Sequence, residues 1–403
     1  MKSSDLTTAV DQAQVRGSTT VPPLLGLFTS FLVLGLTAFG GPAMVAYIRH
    51  MAVEKRCWLH PEAFDDGVAL CQAIPGATAM QTAAYVGLRV RGVAGAAASF
   101  VGFGLPAFAL MLLLSALYAR THNVPAIVSA FSGLRAIIVA LVANAAVSFG
   151  NTSLKRWPQV LIAALAAALF AWQVSPFLVI VLAGLLAALL VPALPSPQCF
   201  ASTRPPMPPT TKTAMTIVAA TALAFLELWL AQRRLFDLAA TMFRIDLFAF
   251  GGGFSSVPLM FHEVVEVRRW LDGRTLLNGI VLGQVTPGPI VITATFIGYL
   301  LARIGGATVA TVGVFLPSFV MLVATAPHFD RLRTMPQFGK VISGVVCSFV
   351  GLLLTVTARF AQDVTWNWVH LLLAGGAFIA LRLKVDVLWI ILVGTGLSIA
   401  LCR

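Results

Sequence analysis

Two short elements of the chain combine residue types suited to holding an anion in an apolar medium. Gln72-Ala73-Ile74-Pro75-Gly76 and Gln284-Val285-Thr286-Pro287-Gly288 each place an amide side chain about one turn before a Pro-Gly pair. Proline removes a helix hydrogen bond and glycine accepts non-helical angles, so each pair is expected to split a helix. The half that follows would aim unpaired N–H groups and the positive end of its dipole at the break. The glutamine would donate to the same ligand. One Pro-Gly pair alone reads better as a packing kink; its return at a matching place in a second copy favours a site.

Phe39-Gly40-Gly41 and Phe250-Gly251-Gly252 are the next candidates. Glycines there would let the chain unwind and another backbone come close, or would merely end a helix. Glu54, Arg56 and Trp58 return as Glu266, Arg268 and Trp270. A carboxylate beside an arginine would make a gate ion pair, or would take up a proton while the arginine recruits an oxyanion. The competing reading is an interfacial anchor of tryptophan and snorkelling basic residues. Arg135, Glu227, Asp237, Arg244 and Asp246 fall inside apolar runs, where a charge is costly unless paired.

Catalytic constellations are weak. His262-Glu263-Val264-Val265-Glu266 has Glu where a zinc-protease helix needs its second His, and no G-K-[ST] phosphate loop occurs. The five cysteines form no C-x-x-C pair. No enzyme activity, cofactor or metal is expected, and any energy source must be an ion gradient or anion exchange.

These elements sit in a chain of 403 residues that is 59% apolar and 10% charged, against about 25% charge in soluble domains. That composition excludes an ordinary soluble protein and makes the bilayer its solvent. The net charge of +12 is spread singly or in pairs between apolar runs, so it reads as orientation charge rather than a nucleic-acid surface. Thirteen apolar runs are read as spans: 24–45, 62–90, 93–118, 125–148, 158–173, 175–194, 214–231, 235–255, 271–301, 304–326, 336–359, 366–381 and 385–402. Residues 1–23 form a polar cytoplasmic tail without the pattern of a removable signal. The stretch 195–213 carries six prolines and reads as an extended cytoplasmic linker.

The chain is duplicated. Ala38-Phe39-Gly40-Gly41 returns 211 residues later, Glu54, Arg56, Trp58, Gly67, Gln72, Pro75 and Gly76 return 212 later, and Gly87, Gly95, Pro106, Phe108, Pro125, Gly133 and Trp157 again at 211. The copies are 24–194 and 235–402, and 214–234 is an extra helix with no counterpart. Six spans, one span and six spans make the second copy enter from the opposite side. The expected fold is an all-α polytopic membrane protein of about 13 transmembrane helices in two inverted-topology repeats with broken helices, an arrangement common in secondary transporters. A cytoplasmic N terminus puts most Lys and Arg inside. It leaves Arg49, Lys55 and Arg56 outside and their counterparts Arg268 and Arg269 inside, which suggests a cluster kept for function.

The duplicated F-G-G, E-x-x-x-W, Q-x-x-P-G and L-P-x-F elements resemble those of the chromate ion transporter (CHR) family in its long two-domain form, from about Leu24 to Cys402. The second copy keeps the fuller Pro287-Gly288-Pro289, whereas the first reads Pro75-Gly76-Ala77. The resemblance implies a bacterial inner-membrane exporter of chromate that confers resistance, with sulfate as a related or counter-transported anion. Phe39, Gly40, Gly41, Gln72, Pro75, Gly76, Phe250, Gly251, Gly252, Gln284, Pro287 and Gly288 are then expected around the anion, and Glu54, Arg56, Glu266 and Arg268 at the gates. The expected partners are chromate, sulfate and the bilayer; a homodimer stays open. Sulfate or other anion uptake is the rival within transport, and a membrane-embedded enzyme or scaffold the rival outside it.

Overall fold

The computed structural model describes residues 22–39, 43–122, 124–191, 211–329 and 335–401. Expectations for Gly40, Gly41, the N-terminal tail and most of the proline-rich linker lie outside these residues. The first copy contains α1 (Leu24–Thr37), α2 (Ala43–Arg49) running into a π-helical turn (His50–Lys55), α3 (Pro61–Ala73), α4 (Thr78–Thr121), α5 (Pro125–Ser153), α6 (Trp157–Ala171) and α7 (Pro176–Leu190). The unduplicated α8 (Thr211–Ala231) follows. The second copy repeats the series as α9 (Arg233–Leu247), α10 (Ser256–Met260) with its own π turn (Phe261–Val267), α11 (Gly273–Val285), α12 (Thr293–Thr325), α13 (Pro336–Asp363), α14 (Trp368–Arg382) and α15 (Val387–Leu401). No strand occurs among the described residues. Proline occupies the first position of α3, α5, α7 and α13, where its missing N–H costs nothing.

Both expected helix breaks form. Helix α3 stops at Ala73 and α4 begins at Thr78, while α11 stops at Val285 and a short 3-10 turn (Ile290–Ile292) leads into α12. Gly76 and Gly288 adopt φ of 122° and 118°, a region that only glycine enters cheaply.

The runs 62–90 and 271–301 are not single spans, however, because the chain turns back at each break. The ring of Tyr85 lies against Gly67, Cys71 lies beside Thr82, and in the second copy the ring of Phe296 lies against Gly279. Helix α4 then reverses at Arg91-Gly92, and α12 at Ala302-Arg303, both with non-helical angles. The backbones of Gly87 and Gly95, and of Gly298 and Gly306, touch across these reversals. Each copy therefore dips to the middle of the bundle and returns before it crosses.

At about 1.5 Å per residue, the 13 residues of α3 reach roughly 20 Å, short of a hydrocarbon core of about 30 Å. Five helices among the described residues are long and apolar enough to cross, namely α4, α5, α8, α12 with its leading turn, and α13. The thirteen apolar runs do not become thirteen long helices, since hydropathy alone cannot tell a span from a hairpin that enters and returns.

Helix α1 follows the later part of α4. Arg91 Nη1 donates to Pro22 O at 2.9 Å, Gly102 touches Phe28, and Gly35 touches Phe103. The end where Pro22 and Arg91 meet is termed the first face. Helix α2 returns toward that face, where Trp58 stacks on Phe31 and Arg49 meets Asp65 at 3.6 Å. Arg49, Lys55 and Arg56 thus lie on the face where α1 starts, not across from it as the count of full spans implied.

Helices α4 and α12 pack antiparallel. Phe100 meets Phe315 and Phe319, and Ala96 clusters with Leu322, Ala326 and Phe329. The copies also exchange partners, α13 packing on α6 and α7, and α5 on α14 and α15. A side chain on Gly87 would collide with the Gly95 carbonyl. Gly87→Leu should cost about 3 kcal/mol and lower the unfolding temperature of the purified protein. Gly305→Ala, with nothing near its Cβ position, should leave it unchanged.

Candidate functional site

The four turning points converge. Gly76 N donates to Ala249 O at 2.8 Å, and Gly288 N donates to Ala38 O at 3.2 Å. The break of each copy is thus held by the first helix of the other. This is the close approach of backbones for which the glycine-rich ends of α1 and α9 are suited.

A cavity of about 780 Å³ opens beside these contacts. Gln72 and Gln284 both line it, together with Ala77, Thr78 and Ala79 from the start of α4, and Gly288, Pro289 and Ile290 from the second break. Gly251 and Gly252, with φ of 87° and 97°, supply another wall. The first amides of a helix have no acceptor within it, so the start of α4 brings N–H groups and a positive dipole end to the cavity. Gln284 Nε2 is buried without an acceptor. Two amide side chains, one from each copy, and the start of α4 thus face one cavity whose lining is otherwise largely apolar.

Pro75, Gly76 and Pro287 are buried and, with the half-buried Phe39 and Phe250 at the ends of α1 and α9, do not line this cavity. One amide expected to serve the ligand is already used, because Ala77 N donates to Ser318 Oγ at 2.8 Å.

The residues expected at the gates have partners other than those the sequence suggested. Glu54 accepts from His50 Nδ1 at 2.7 Å, and Glu266 from His262 Nδ1 at 2.9 Å. Glu266 also pairs with Arg359, which donates through Nη2 to Phe170 O at 2.9 Å. Arg268 stands 3.6 Å from Glu263 and over the Trp270 ring, and Glu263 binds Arg244 at 2.5 Å. Arg56 is exposed, on the turn after the first π segment.

The copies differ in accessibility. The side chains of His50 and Glu54 are 67% and 55% exposed, whereas those of His262 and Glu266 are 8% and 18% exposed. Where the first copy places Arg49 and Asp65 at the cavity rim, the second places Phe261 and Leu277, both buried. Phe149 lines the cavity, while its counterpart Phe360 packs edge-on against Phe261 at 5.3 Å. The cavity therefore opens at the first face and is shut toward the opposite one by an aromatic layer and a buried charge network.

His50, His262, Asp65 and Arg359 were missed as site candidates, whereas Arg49 belongs to the basic cluster that the sequence marked as kept for function. The His-x-x-x-Glu spacing, which puts both residues on one side of a helical turn, recurs in both copies and was a usable signal. Nothing in the sequence linked Arg359 to Glu266.

The Chromate transporter family profile matches residues 25–188 and 236–399. An uncharacterized transporter of Methanocaldococcus jannaschii is 40% identical over 375 residues, covering 92% of each chain. The chromate transport protein of Pseudomonas aeruginosa is 31% identical over 391 residues, covering 92% of this chain and 89% of its own. That of Cupriavidus metallidurans is 30% identical over 340 residues, covering 80% of this chain and 79% of its own. No solved structure matches the chain.

The one-sided opening has a direct check in protein freed of Cys57, which is exposed, and of Cys199 and Cys402. A cysteine at Thr152, on the cavity wall, should react readily with an impermeant thiol reagent. One at Leu277 should react at least about tenfold more slowly, the factor for a barrier of about 1.4 kcal/mol.

Proposed function

Since the chain belongs to the chromate transporter family and is a multi-pass membrane transporter rather than an enzyme, we propose that it exports chromate by alternating access and so confers chromate resistance. The observation that carries this reading is the meeting of Gln72 and Gln284, one from each copy, in a single cavity at the two breaks. Chromate is a tetrahedral dianion, and converging N–H donors with a positive dipole end suit it without requiring a fixed cation.

In this reading the two copies span the bilayer in opposite senses, turned over by α8, as the antiparallel packing of α4 and α12 supports. The first face is cytoplasmic, in a bacterial inner membrane with the N terminus inside. The basic residues near that face, among them Arg49, Lys55, Arg56, Arg89, Arg91, Lys155 and Arg156, accord with the positive-inside tendency. Arg49 attracts the anion to the rim. Glu266 with His262 and Arg359, and Glu263 with Arg244 and Arg268, lock the far side. Opening would expose these groups as His50 and Glu54 are exposed now, and the mirrored pair would close. Export is an exchange for sulfate or is coupled to protons, with the inside-negative potential acting on the net charge carried.

Sulfate or other inorganic anion uptake is the second reading; the relative at 40% identity is an uncharacterized transporter, whose name specifies no substrate. Sulfate shares the charge and shape of chromate, so donors of this kind separate the two poorly.

The test is uptake of labelled chromate into everted vesicles. Gln72→Ala and Gln284→Ala should each lower it at least tenfold at unchanged protein level, as expected for losing a hydrogen bond to a charged group, about 1.5–3 kcal/mol. Excess sulfate should compete. Undiminished uptake in both variants would remove the glutamines from the site, and sulfate uptake without chromate export would favour the second reading.

A further inference from the structure

Asp246 is the one acid among the described residues that is fully buried and has no basic partner. It lies near the end of α9, and its Oδ2 accepts from Ser318 N at 2.9 Å and from Ser318 Oγ at 2.6 Å. Ser318 Oγ in turn accepts from Ala77 N. Because the serine hydroxyl hydrogen is given to Asp246, the chain runs from the Ala77 amide through Ser318 to the carboxylate. Ala77 lines the anion cavity. The other oxygen, Oδ1, is buried with no partner at all.

Among the described residues the surroundings offer no counter-ion. Arg244, on the same helix, is turned to Glu263, and Asp237 of α9 and Glu227 of α8 are exposed on the outside of the bundle. His262 and Glu263 of the π turn are engaged with Glu266 and Arg244. Helix α12 and the hairpin contribute Ser318 and Gln81, whose Nε2 donates to Pro75 O at 2.6 Å. The first copy has no equivalent: Gly35 stands at the position of Asp246 and Ala107 at that of Ser318. The repeat thus carries this carboxylate once, beside one break only.

We propose that Asp246 is the proton site through which transport is coupled, Oδ1 taking the proton from water on whichever side the cavity opens. Acids within membrane segments are costly and mark proton and ion pathways. Here the cost has a use. An ionised Asp246 sets a negative charge behind the helix start that must hold the anion. Its protonation removes that charge and leaves the positive end of α4 to the ligand. Proton and anion then favour each other's binding, and by linkage the effect is reciprocal. Each cycle carries both in one direction, and one proton with a dianion leaves net negative charge, which an inside-negative potential expels.

This inference rests on the transport reading, and a single preparation separates the two. In proteoliposomes at clamped zero potential with equal labelled chromate on both sides, a one-unit pH gradient should drive chromate to the alkaline side. One proton per anion gives a ratio of about tenfold. Asp246→Asn should keep chromate exchange at equilibrium but hold the ratio at one. A variant that still follows the gradient overturns the assignment, as does a folded variant that has lost exchange altogether, since Asp246 would then merely support the anion's scaffold.

Should Asp246→Asn not fold, Ser318→Ala decides, alanine being the residue at that place in the first copy. Without the hydroxyl that favours the charged carboxylate, the pH profile of exchange should move to higher pH; an unmoved profile overturns the proposal. A wild-type protein that moves anion but ignores the gradient defeats this inference alone. One that moves neither labelled chromate nor labelled sulfate defeats the transport reading.

Discussion

Backbone that leaves a helix inside hydrocarbon must find its hydrogen bonds within the protein, because no water is there to supply them. Four segments of this chain do so at the same depth, the ends of α1 and α9 and the two Pro-Gly breaks. The crossed bonds from Gly76 to Ala249 and from Gly288 to Ala38 show how the demand is met. Each break takes the bond at its glycine from the other copy, so neither break is fully satisfied within its own half. The same crossing brings Gln72 and Gln284 to one cavity, and the exchange of α5 and α13 between the halves encloses it.

Symmetry of the backbone is combined with asymmetry of the side chains. The π turns, the reversals in α4 and α12, and the His-Glu pairs recur in both copies. Only the second copy adds Arg244, Glu263 and Arg359 around its pair, and only the second has Asp246 against Ser318. A buried charge network loses much when one partner is removed and gains little over an apolar core. A network that opened and closed, as the proposed transport cycle has it, would have reason to retain it. The first-face counterpart, with Val33, Met51 and Ser148 at the matching positions, leaves His50 and Glu54 exposed.

Much of this was legible in the residues. Pro75-Gly76 and Pro287-Gly288 marked the breaks because proline and glycine have few other uses at that place in an apolar helix. The 211 and 212 register paired the copies and isolated α8. The reversals escaped notice because an apolar run looks alike whether it crosses or doubles back, although glycines eight residues apart at Gly87 and Gly95, repeated at Gly298 and Gly306, were a trace of the close approach. Pairings such as Arg359 with Glu266, or Ser318 with Asp246, depend on which helices the exchange places side by side. No local spacing encodes that.

The central claim is that one anion is held between the two breaks by groups from both copies. An experimental structure of the full chain in lipid, with a tetrahedral oxyanion of a heavy element such as molybdate bound, tests it most directly. The density should lie in the cavity between Gln72 and Gln284, within hydrogen-bonding reach of the start of α4 and of the Gly288 segment. Density placed instead on the Arg244 and Arg359 network, or against one break with the other copy's groups out of reach, would contradict it.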